Sequence, residues 1–193
     1  MINKLNITNI NTIEYWDSFY KDILTEETKN KRLMYYEDLK LFLKKGSYSL
    51  LEIGCGSGYG LNYLLSFFPK YKITGFDISS IAIDKAKKSN NKISFEIFDI
   101  LKQSIINNYD YILIIQTLEH FDCPFEIIDK CIEHCKYLII SVPYKNAMKN
   151  EPSHMTTNYT KEGFDKYNVV NYKVKKYGKR RRTILYIVLK GEL

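Results

Sequence analysis

Short apolar runs alternate with amphipathic stretches along most of the 193-residue chain. A short continuous apolar run is typical of a strand covered on both faces. Apolar residues spaced three or four apart among charges indicate a helix that buries one face. In chain order, the pattern predicts strands at 48–53, 72–76, 93–98, 109–115 and 137–142, and helices at 30–45, 59–68, 78–88, 125–135 and 160–167.

The end of the chain departs from this alternation. Two β-prone runs, 169–176 and 183–190, are separated only by residues 177–182, a pattern typical of a hairpin. Alternating strands and helices followed by a hairpin predict an α/β fold with a doubly wound, seven-stranded, mostly parallel, Rossmann-like sheet that ends in an antiparallel hairpin. Because no linker or repeat interrupts the chain, we expect a single domain at 30–193, preceded by an N-terminal segment, 1–29.

Composition favours a soluble globular protein, with 45% hydrophobic and 26% charged residues. The longest apolar run, 111–115, is far too short to cross a bilayer, and residues 1–15 lack the apolar core of a signal peptide. We therefore expect a cytoplasmic protein that does not insert into membranes.

The cysteines, at positions 55, 123, 131 and 135, do not form a C-x-x-C pair. Their spacing matches no common zinc pattern, and a domain of this size does not need disulfides. The sequence therefore predicts reduced thiols and no metal site.

Glycines occupy every second position after the first predicted strand, from Gly54 through Gly56 and Gly58 to Gly60, with Glu52 just before them. Glycine allows a sharp turn and lets a ligand lie against the main chain. The helix that follows offers free N–H groups to a carboxylate or phosphate. Since ligands of open α/β sheets bind beyond the carboxyl ends of the strands, we expect a binding site at this turn.

Aspartates end the next two predicted strands. Asp77 stands where an acidic side chain can accept hydrogen bonds from both hydroxyls of a ribose. Asp99 stands where a carboxylate can accept from the amino group of adenine, while Ile78 or Ile100 packs against the ring. A single aspartate in such a place is more often a turn former. Together with the glycine turn, the two predict an adenosine-containing ligand.

These features resemble the motifs of class I S-adenosylmethionine-dependent methyltransferases over roughly residues 30–190. A dinucleotide-binding turn would place its third glycine at Tyr59, so a nicotinamide oxidoreductase is disfavoured. The resemblance implies that S-adenosylmethionine binds and that S-adenosylhomocysteine is released. The cofactor-binding residues it implies are Glu52, Gly54, Cys55, Gly56, Gly58, Asp77, Ile78, Asp99, Ile100 and Gln116.

The segment 116–124, QTLEHFDCP, resembles the signature of small-molecule methyltransferases of the ubiquinone-biosynthesis type, which include sugar methyltransferases. The resemblance implies methyl transfer to oxygen, or with lower preference to nitrogen, of a small anionic or sugar-like acceptor. The Lys-Pro-Gly-Gly that usually precedes the fifth strand is replaced by residues 134–136, so the subfamily stays open.

Two histidines are candidate catalytic bases. A sulfonium methyl group is already activated, so alignment supplies most of the rate, but a hydroxyl acceptor needs a base to remove its proton. His120 and His154 follow the fourth and fifth predicted strands. Alternatively, His120 braces the following helix and His154 is a surface residue of the cap loop 143–160.

Aromatic residues crowd the N-terminal segment, among them Tyr15 and Trp16. In the enzymes that the sequence resembles, such a segment folds over the cofactor, and aromatic faces suit a sulfonium cation. We therefore expect Tyr15 and Trp16 to contact the cofactor. The alternative is an amphipathic helix that buries its aromatic residues in the core.

Positive charge is concentrated near the C-terminus. Residues 173–182 carry seven Lys and Arg residues and no acid, whereas the other 22 basic residues equal the 22 acids in number. The predicted hairpin turn emerges at the carboxyl edge of the sheet, so Lys179, Arg180, Arg181 and Arg182 are expected to bind an acidic, phosphorylated or nucleotide-linked acceptor. We expect some of Lys173, Lys175 and Lys176 to face the same way. Alternatively, the charges keep an edge strand soluble.

Two other functions remain as alternatives. One is an RNA ribose 2′-O-methyltransferase. Enzymes of this fold that methylate small RNAs hold a metal with Glu-x-x-Glu-His and a later His. In this sequence Glu119, His120 and His154 fit that pattern, but Gln116 replaces the first Glu. The other is a non-catalytic S-adenosylmethionine-binding module that serves a partner subunit.

Overall fold

The computed structural model describes residues 3–4, 9–22, 26–145, 147, 150–177 and 182–193, with the backbone alone described for 3–4, 22, 26–31 and 182. Among these residues, no helix is long and apolar enough to cross a membrane. The α-helices are α1 (Ile13–Asp22), α2 (Glu26–Glu37), α3 (Tyr59–Phe67), α4 (Ser80–Ser89) and α5 (Pro124–Ile132), and short 3-10 helices cover Asp38–Leu41, Leu118–His120 and Lys161–Phe164.

The main sheet has seven strands in the order β4-β3-β2-β5-β6-β9-β8. The first five in that order are parallel, and β9 is antiparallel to both of its neighbours, as the sequence predicts. A separate two-stranded sheet pairs β1 with β7. The strands are β1 (Asn3–Lys4), β2 (Ser49–Ile53), β3 (Lys72–Asp77), β4 (Ser94–Ile97), β5 (Tyr109–Ile115), β6 (Cys135–Pro143), β7 (Thr156–Thr157), β8 (Val169–Tyr177) and β9 (Arg182–Lys190).

The continuous apolar run of β5 results from burial on both faces of the sheet. Tyr111 and Leu113 belong to one hydrophobic cluster, which includes α2, α3 and α4 side chains. Ile112 and Ile114 belong to a second cluster on the other face, which includes α5 side chains. Because side chains of a strand alternate between faces, a strand between two helical layers has to be apolar at every position.

The first long helix differs from its predicted bounds. The apolar spacing predicts a helix at 30–45, but α2 begins at Glu26 and ends at Glu37, and a 3-10 turn, Asp38–Leu41, follows. The first turn of α2 consists of polar residues, so apolar periodicity does not mark where it begins. The helix predicted at 160–167 is likewise reduced to the 3-10 turn Lys161–Phe164.

The closing hairpin has the predicted topology. Ile184 near the start of β9 pairs with Pro143 at the end of β6, so the end of β8 and the start of β9 lie at the carboxyl edge of the parallel strands. Lys179, Arg180 and Arg181 of the turn between them lie outside the described residues, and Arg182 is described only by its backbone.

Candidate active site

A cavity of about 570 Å³ lies at the carboxyl edge of the sheet. Its walls include residues that end or follow four neighbouring parallel strands, namely Gly54 after β2, Asp77 of β3, Asp99 after β4 and Gln116 after β5. Strand order reverses between β2 and β5, which is where open α/β sheets bind ligands. The cavity therefore lies where the sequence predicts a binding site.

Of the predicted site residues whose side chains the structure describes, most line this cavity, and three do not. These three are Glu52, Gly56 and Gly58. The predicted residues that line the cavity are Tyr15, Trp16, Gly54, Cys55, Asp77, Ile78, Asp99, Ile100, Gln116, His120 and His154.

The glycine turn is shaped by close packing against the protein itself. Gly56 has a φ of 55°, a left-handed conformation that favours glycine, and a Cβ there would lie 2.5 Å from the hydroxyl oxygen of Tyr20. The Gly56 N–H donates to Asp77 Oδ2 over 2.7 Å. Gly56 thus supports the site by letting the turn close onto α1 and β3, although it does not line the cavity.

Asp77 is buried at the wall of the cavity, with 7% of its surface exposed. Its Oδ1 accepts from the Ser79 N–H over 2.9 Å, and its Oδ2 accepts from Gly56. Burial raises the pKa of Asp77 to about 6, although these two hydrogen bonds oppose the shift. Since a carboxylate has about four acceptor positions, each oxygen keeps capacity for a further donor.

Asp99 also forms a local turn. Its Oδ1 accepts from the Leu101 N–H over 3.0 Å, and its Oδ2 pairs with Lys102 Nζ at 3.1 Å. Asp99 therefore forms a turn, as the alternative drawn from the sequence proposed, and it also lines the cavity.

Glu52 does not line the cavity and is completely buried. The hydroxyl of Tyr36 donates to its Oε1 over 2.5 Å, and its Oε2 has no hydrogen-bond partner among the described residues. Burial raises the pKa of Glu52 to about 8, against the opposing effect of the Tyr36 hydrogen bond. Glu52 therefore reaches the cavity only through Tyr36, which lines it.

Helix α1 forms one wall of the cavity with Tyr15, Trp16, Phe19 and Tyr20. Asp17 on the same helix ties it to the start of α4, since it accepts from Ser79 Oγ over 2.6 Å, Ser80 Oγ over 3.2 Å and the Ile81 N–H over 3.3 Å. Tyr20 is buried, whereas Tyr15 and Trp16 are half-buried. The helix thus combines features of both interpretations drawn from the sequence, a cover over the site and an amphipathic helix.

Arg32 is a lining residue that the sequence does not single out. Its guanidinium lies 5.2 Å from the ring centre of Phe19, and it donates to the Tyr20 hydroxyl over 3.3 Å. Among the described lining residues, Arg32 is the only Lys or Arg. It lies within the helix predicted at 30–45, but no sequence signal indicates that its side chain faces the cavity.

The two candidate bases lie side by side, with ring centres 5.1 Å apart. His154 is 2% exposed, so the prediction that it could be a surface residue of the cap loop is wrong. His120 Nδ1 lies 2.9 Å from the carbonyl oxygen of Ser153 in that loop. Burial lowers the pKa of His120 to about 4 and that of His154 to about 3, which keeps both rings neutral near pH 7.

Part of the basic segment serves the fold. Lys173 and Lys175 pair with the buried Asp38 at 2.8 and 2.7 Å, and the Tyr177 hydroxyl donates to the same carboxylate over 2.6 Å. Asp38 does not line the cavity. A buried carboxylate thus holds Lys173 and Lys175, so of the three lysines of which some were expected to face the cleft, only Lys176 is left for that role.

Comparison with known proteins agrees with this geometry. Residues 51–137, which include the glycine turn, Asp77, Asp99 and the turn after β5, match the family model described as a methyltransferase domain. This part of the chain is similar to a methyltransferase domain. The match agrees with the resemblance to methyltransferases that the sequence motifs carry.

Proteins of similar sequence are named for different acceptors. A malonyl-[acyl-carrier protein] O-methyltransferase of Priestia megaterium is 38% identical over 90 residues, 46% of this chain and 33% of the relative. A ribosomal RNA small subunit methyltransferase C of Buchnera aphidicola is 33% identical over 139 residues, 65% of this chain and 41% of the relative. The match thus spans only a third to two fifths of these relatives.

The fold of this chain recurs in solved structures. The plantazolicin methyltransferase BpumL, in complex with a monoazolic desmethylPZN analog and S-adenosylhomocysteine, superposes with a TM-score of 0.69 at 20% identity, covering 93% of this chain and 90% of BpumL. At this identity, the likeness shows the fold.

Proposed function

We propose that this protein binds S-adenosylmethionine in the cavity and transfers its methyl group to an oxygen of a small acceptor, releasing S-adenosylhomocysteine. The observation that carries the proposal is the cavity at the strand-order reversal, lined by Gly54, Asp77, Asp99 and Gln116 in a chain that matches the methyltransferase domain. The O-methyltransferase relatives support oxygen as the atom that is methylated.

In this proposal, each part of the cofactor meets a different wall. Asp77 accepts from the two ribose hydroxyls, and Ile78, Ile100 and the adjacent Asp99 receive the adenine. Gly54 and Gln116 face the methionine part. The carboxylate of that part lies near Arg32, since this is the only Lys or Arg among the described lining residues.

The protein's contribution to the rate is mainly alignment. As the acceptor oxygen forms its bond to carbon, the S–CH₃ bond breaks and its electrons remain on sulfur, which leaves a neutral thioether. A carboxylate acceptor needs no base, whereas a hydroxyl must lose its proton. His154 and His120 line the cavity and are the candidate bases for that proton, although burial, which lowers the pKa of both rings, makes each a weak base in the unliganded protein. Tyr15 and Trp16 cover the reacting groups and exclude water.

A screen for S-adenosylhomocysteine release tests this proposal. The acceptors are malonyl thioesters, nucleotide-linked sugars, quinones and short RNAs, each incubated with the full chain. Release that depends on one of the small acceptors supports the proposal. Activity on RNA alone would favour the RNA methyltransferase alternative, and no turnover with any acceptor would favour the non-catalytic module.

The basic turn supports an acidic acceptor within the same proposal. The described ends of β8 and β9 that flank it lie at the carboxyl edge of the sheet, the edge at which the cavity lies, and dense positive charge raises the local concentration of anions. Replacing Lys179, Arg180, Arg181 and Arg182 by Ser should raise the acceptor KM several-fold at low salt and leave cofactor affinity unchanged. An acceptor KM that does not respond to salt in either protein would contradict this role.

A further inference from the structure

Strand β8 lies at one edge of the main sheet, and its outer side is open. The strand order ends at β8, and β9 is the only strand that pairs with it among the described residues. In an antiparallel pair, about half of the backbone N–H and C=O groups of a strand point toward its partner and the others point away. Residues 171–177 pair with β9 in regular register, so their outward-pointing groups form a row that can pair with another strand.

Apolar side chains of β8 are exposed along this edge. Tyr172 and Val174 share one face of the sheet and are 54% and 42% exposed. Their partners in β9, Ile187 and Leu185, are buried and belong to the second hydrophobic cluster. Val170, at the irregular start of the strand, is also 49% exposed. The apolar face of the sheet therefore continues to its edge, where no described residue covers it.

Two lysines of β8 do not protect this edge in the usual way. Edge strands are commonly kept from pairing by lysines, prolines or bulges. Lys173 and Lys175 turn to the opposite face from the apolar side chains, where both pair with the buried carboxylate of Asp38. The bulge lies before Asn171, and β8 contains no proline. The edge from 171 to 177 is therefore open to another strand.

Positive charge exceeds negative charge along β8. The strand carries Lys173, Lys175 and Lys176 and no acidic residue. Asp38 is the only carboxylate that pairs with any of these lysines among the described residues, so one negative charge faces three positive ones. The side chains of Lys173 and Lys175 remain 36% and 37% exposed, and Lys176 is exposed. Such a surface attracts an acidic ligand and repels a basic one.

The two faces of β8 specify the pattern of a strand that would pair with it. The side chains of an added strand alternate between the faces of the sheet. On one face they meet Tyr172 and Val174, which suit apolar side chains. On the other face they meet Lys173 and Lys175, which suit carboxylates. A second copy of this chain fits less well, because two β8 strands side by side bring the lysines of both copies together.

We propose that the open edge of β8 binds an extended acidic segment of a partner protein, in which apolar and acidic side chains alternate. The segment extends the seven-stranded sheet through main-chain hydrogen bonds, and its side chains supply the selectivity. Residues 179–182, to which the proposed function gives a role in acceptor binding, are not required for this docking. The docking surface therefore does not rest on the proposed function.

Fluorescence anisotropy of labelled synthetic peptides, titrated with the full chain, tests this surface without cofactor or acceptor. We expect a peptide of alternating Glu and Val to bind, and a peptide of alternating Lys and Val to bind more weakly by about tenfold or more. Tyr172→Glu combined with Val174→Glu should weaken binding of the Glu–Val peptide by about tenfold. Ile106→Glu is the matched control, because Ile106 is 86% exposed between β4 and β5, outside the β8 edge, and its loss should leave the affinity unchanged.

Amide hydrogen exchange on the unmodified chain keeps the proposal testable even if the double variant unfolds. Amides of 171–177 that point away from β9 should become protected when the Glu–Val peptide is present, because an added strand accepts hydrogen bonds from them. No binding at millimolar peptide, equal binding of the two peptides, unchanged affinity in the folded double variant, or no protection of these amides would overturn the proposal. Self-association of the chain that the double variant abolishes, or preference for a single-stranded oligouridylate over the Glu–Val peptide, would also overturn it. Because no methyl transfer is measured, these outcomes are independent of the acceptor screen.

Discussion

Replacing Asp17 by Ala should destabilise the protein and weaken cofactor binding together. Asp17 connects α1 to the start of α4 through hydrogen bonds from Ser79, Ser80 and the Ile81 N–H. Ser79 also caps α4, since its Oγ accepts from the Ala82 N–H over 3.1 Å. The substitution therefore removes both the attachment of α1 and the support of a helix cap.

The size of the effect follows from the number and exposure of these bonds. A hydrogen bond to a charged group contributes about 1.5–3 kcal/mol when buried, and loss of a helix N-cap costs about 0.5–2 kcal/mol. Asp17 is half-buried, so water replaces part of what is lost. We expect a net loss of about 1–3 kcal/mol, which lowers Tm by about 2–12 °C in a domain of this size.

Cofactor affinity should fall in the same variant, because α1 carries Tyr15, Trp16, Phe19 and Tyr20 on the cavity wall. Thermal unfolding by circular dichroism gives the stability, and calorimetry with S-adenosylhomocysteine gives the affinity, which we expect to fall several-fold. Ser18→Ala is the matched control, since Ser18 is exposed on the same helix. If Asp17→Ala matched Ser18→Ala in both measurements, the attachment of α1 through Asp17 would be refuted.

The pH dependence of this difference gives an internal check. Burial raises the pKa of Asp17, but the hydrogen bonds from Ser79, Ile81 and Ser80 outweigh it, so the pKa lies below 3.8 in the folded protein. A lowered pKa stabilises the fold above the pKa of the unfolded chain, and this contribution is lost as pH falls through the folded value. The gap between Asp17→Ala and the unmodified protein should therefore shrink in acid.

Two further substitutions test the buried side of the site. Burial raises the pKa of Glu52 from 4.5 to about 8, so the free energy of unfolding of the unliganded protein should fall as pH rises between these values. Glu52→Gln should reduce this fall, by a few kcal/mol at most. Urea unfolding at pH 5 and pH 8 measures it. An unchanged slope would contradict the burial effect. Gly60→Ala should lower Tm, because the added Cβ would lie 1.9 Å from Tyr36 Cζ and such overpacking costs about 1–3 kcal/mol or more. This cost exceeds the gain of about 1 kcal/mol that Ala brings to a helix. A Tm equal to or above that of the unmodified protein would contradict this.

The sheet could be predicted from the sequence because each strand carries its own signal. In β5 the apolar run reflects helices on both faces, and in β8 and β9 the β-prone runs flank a short turn. The polar first turn of α2 has no such signal, so the start of this helix could not be predicted. Arg32 lies within the predicted helix, but nothing in the sequence indicates that it faces the cavity. Apolar periodicity indicates where a helix buries apolar side chains, and it does not indicate helical turns made of polar residues.

The candidate site could be predicted where chemistry follows directly on a strand. Asp77 and Gly54 lie on the cavity wall because strand ends meet at one edge of the sheet. Contacts between distant segments could not be predicted in the same way. The pairing of Lys173 with Asp38 spans 135 positions, and the approach of His154 to Glu119 depends on how the cap loop folds back.

Calorimetric titration with S-adenosylmethionine and S-adenosylhomocysteine tests the central claim most directly. The account predicts that both bind one per chain, and that Asp77→Ala weakens binding at least tenfold by removing charge-assisted bonds of about 1.5–3 kcal/mol each. Asp84→Ala, at an exposed position of α4, should bind as the unmodified protein does. Tight binding of NADH with no response to S-adenosylhomocysteine, or undiminished affinity in folded Asp77→Ala, would contradict the account.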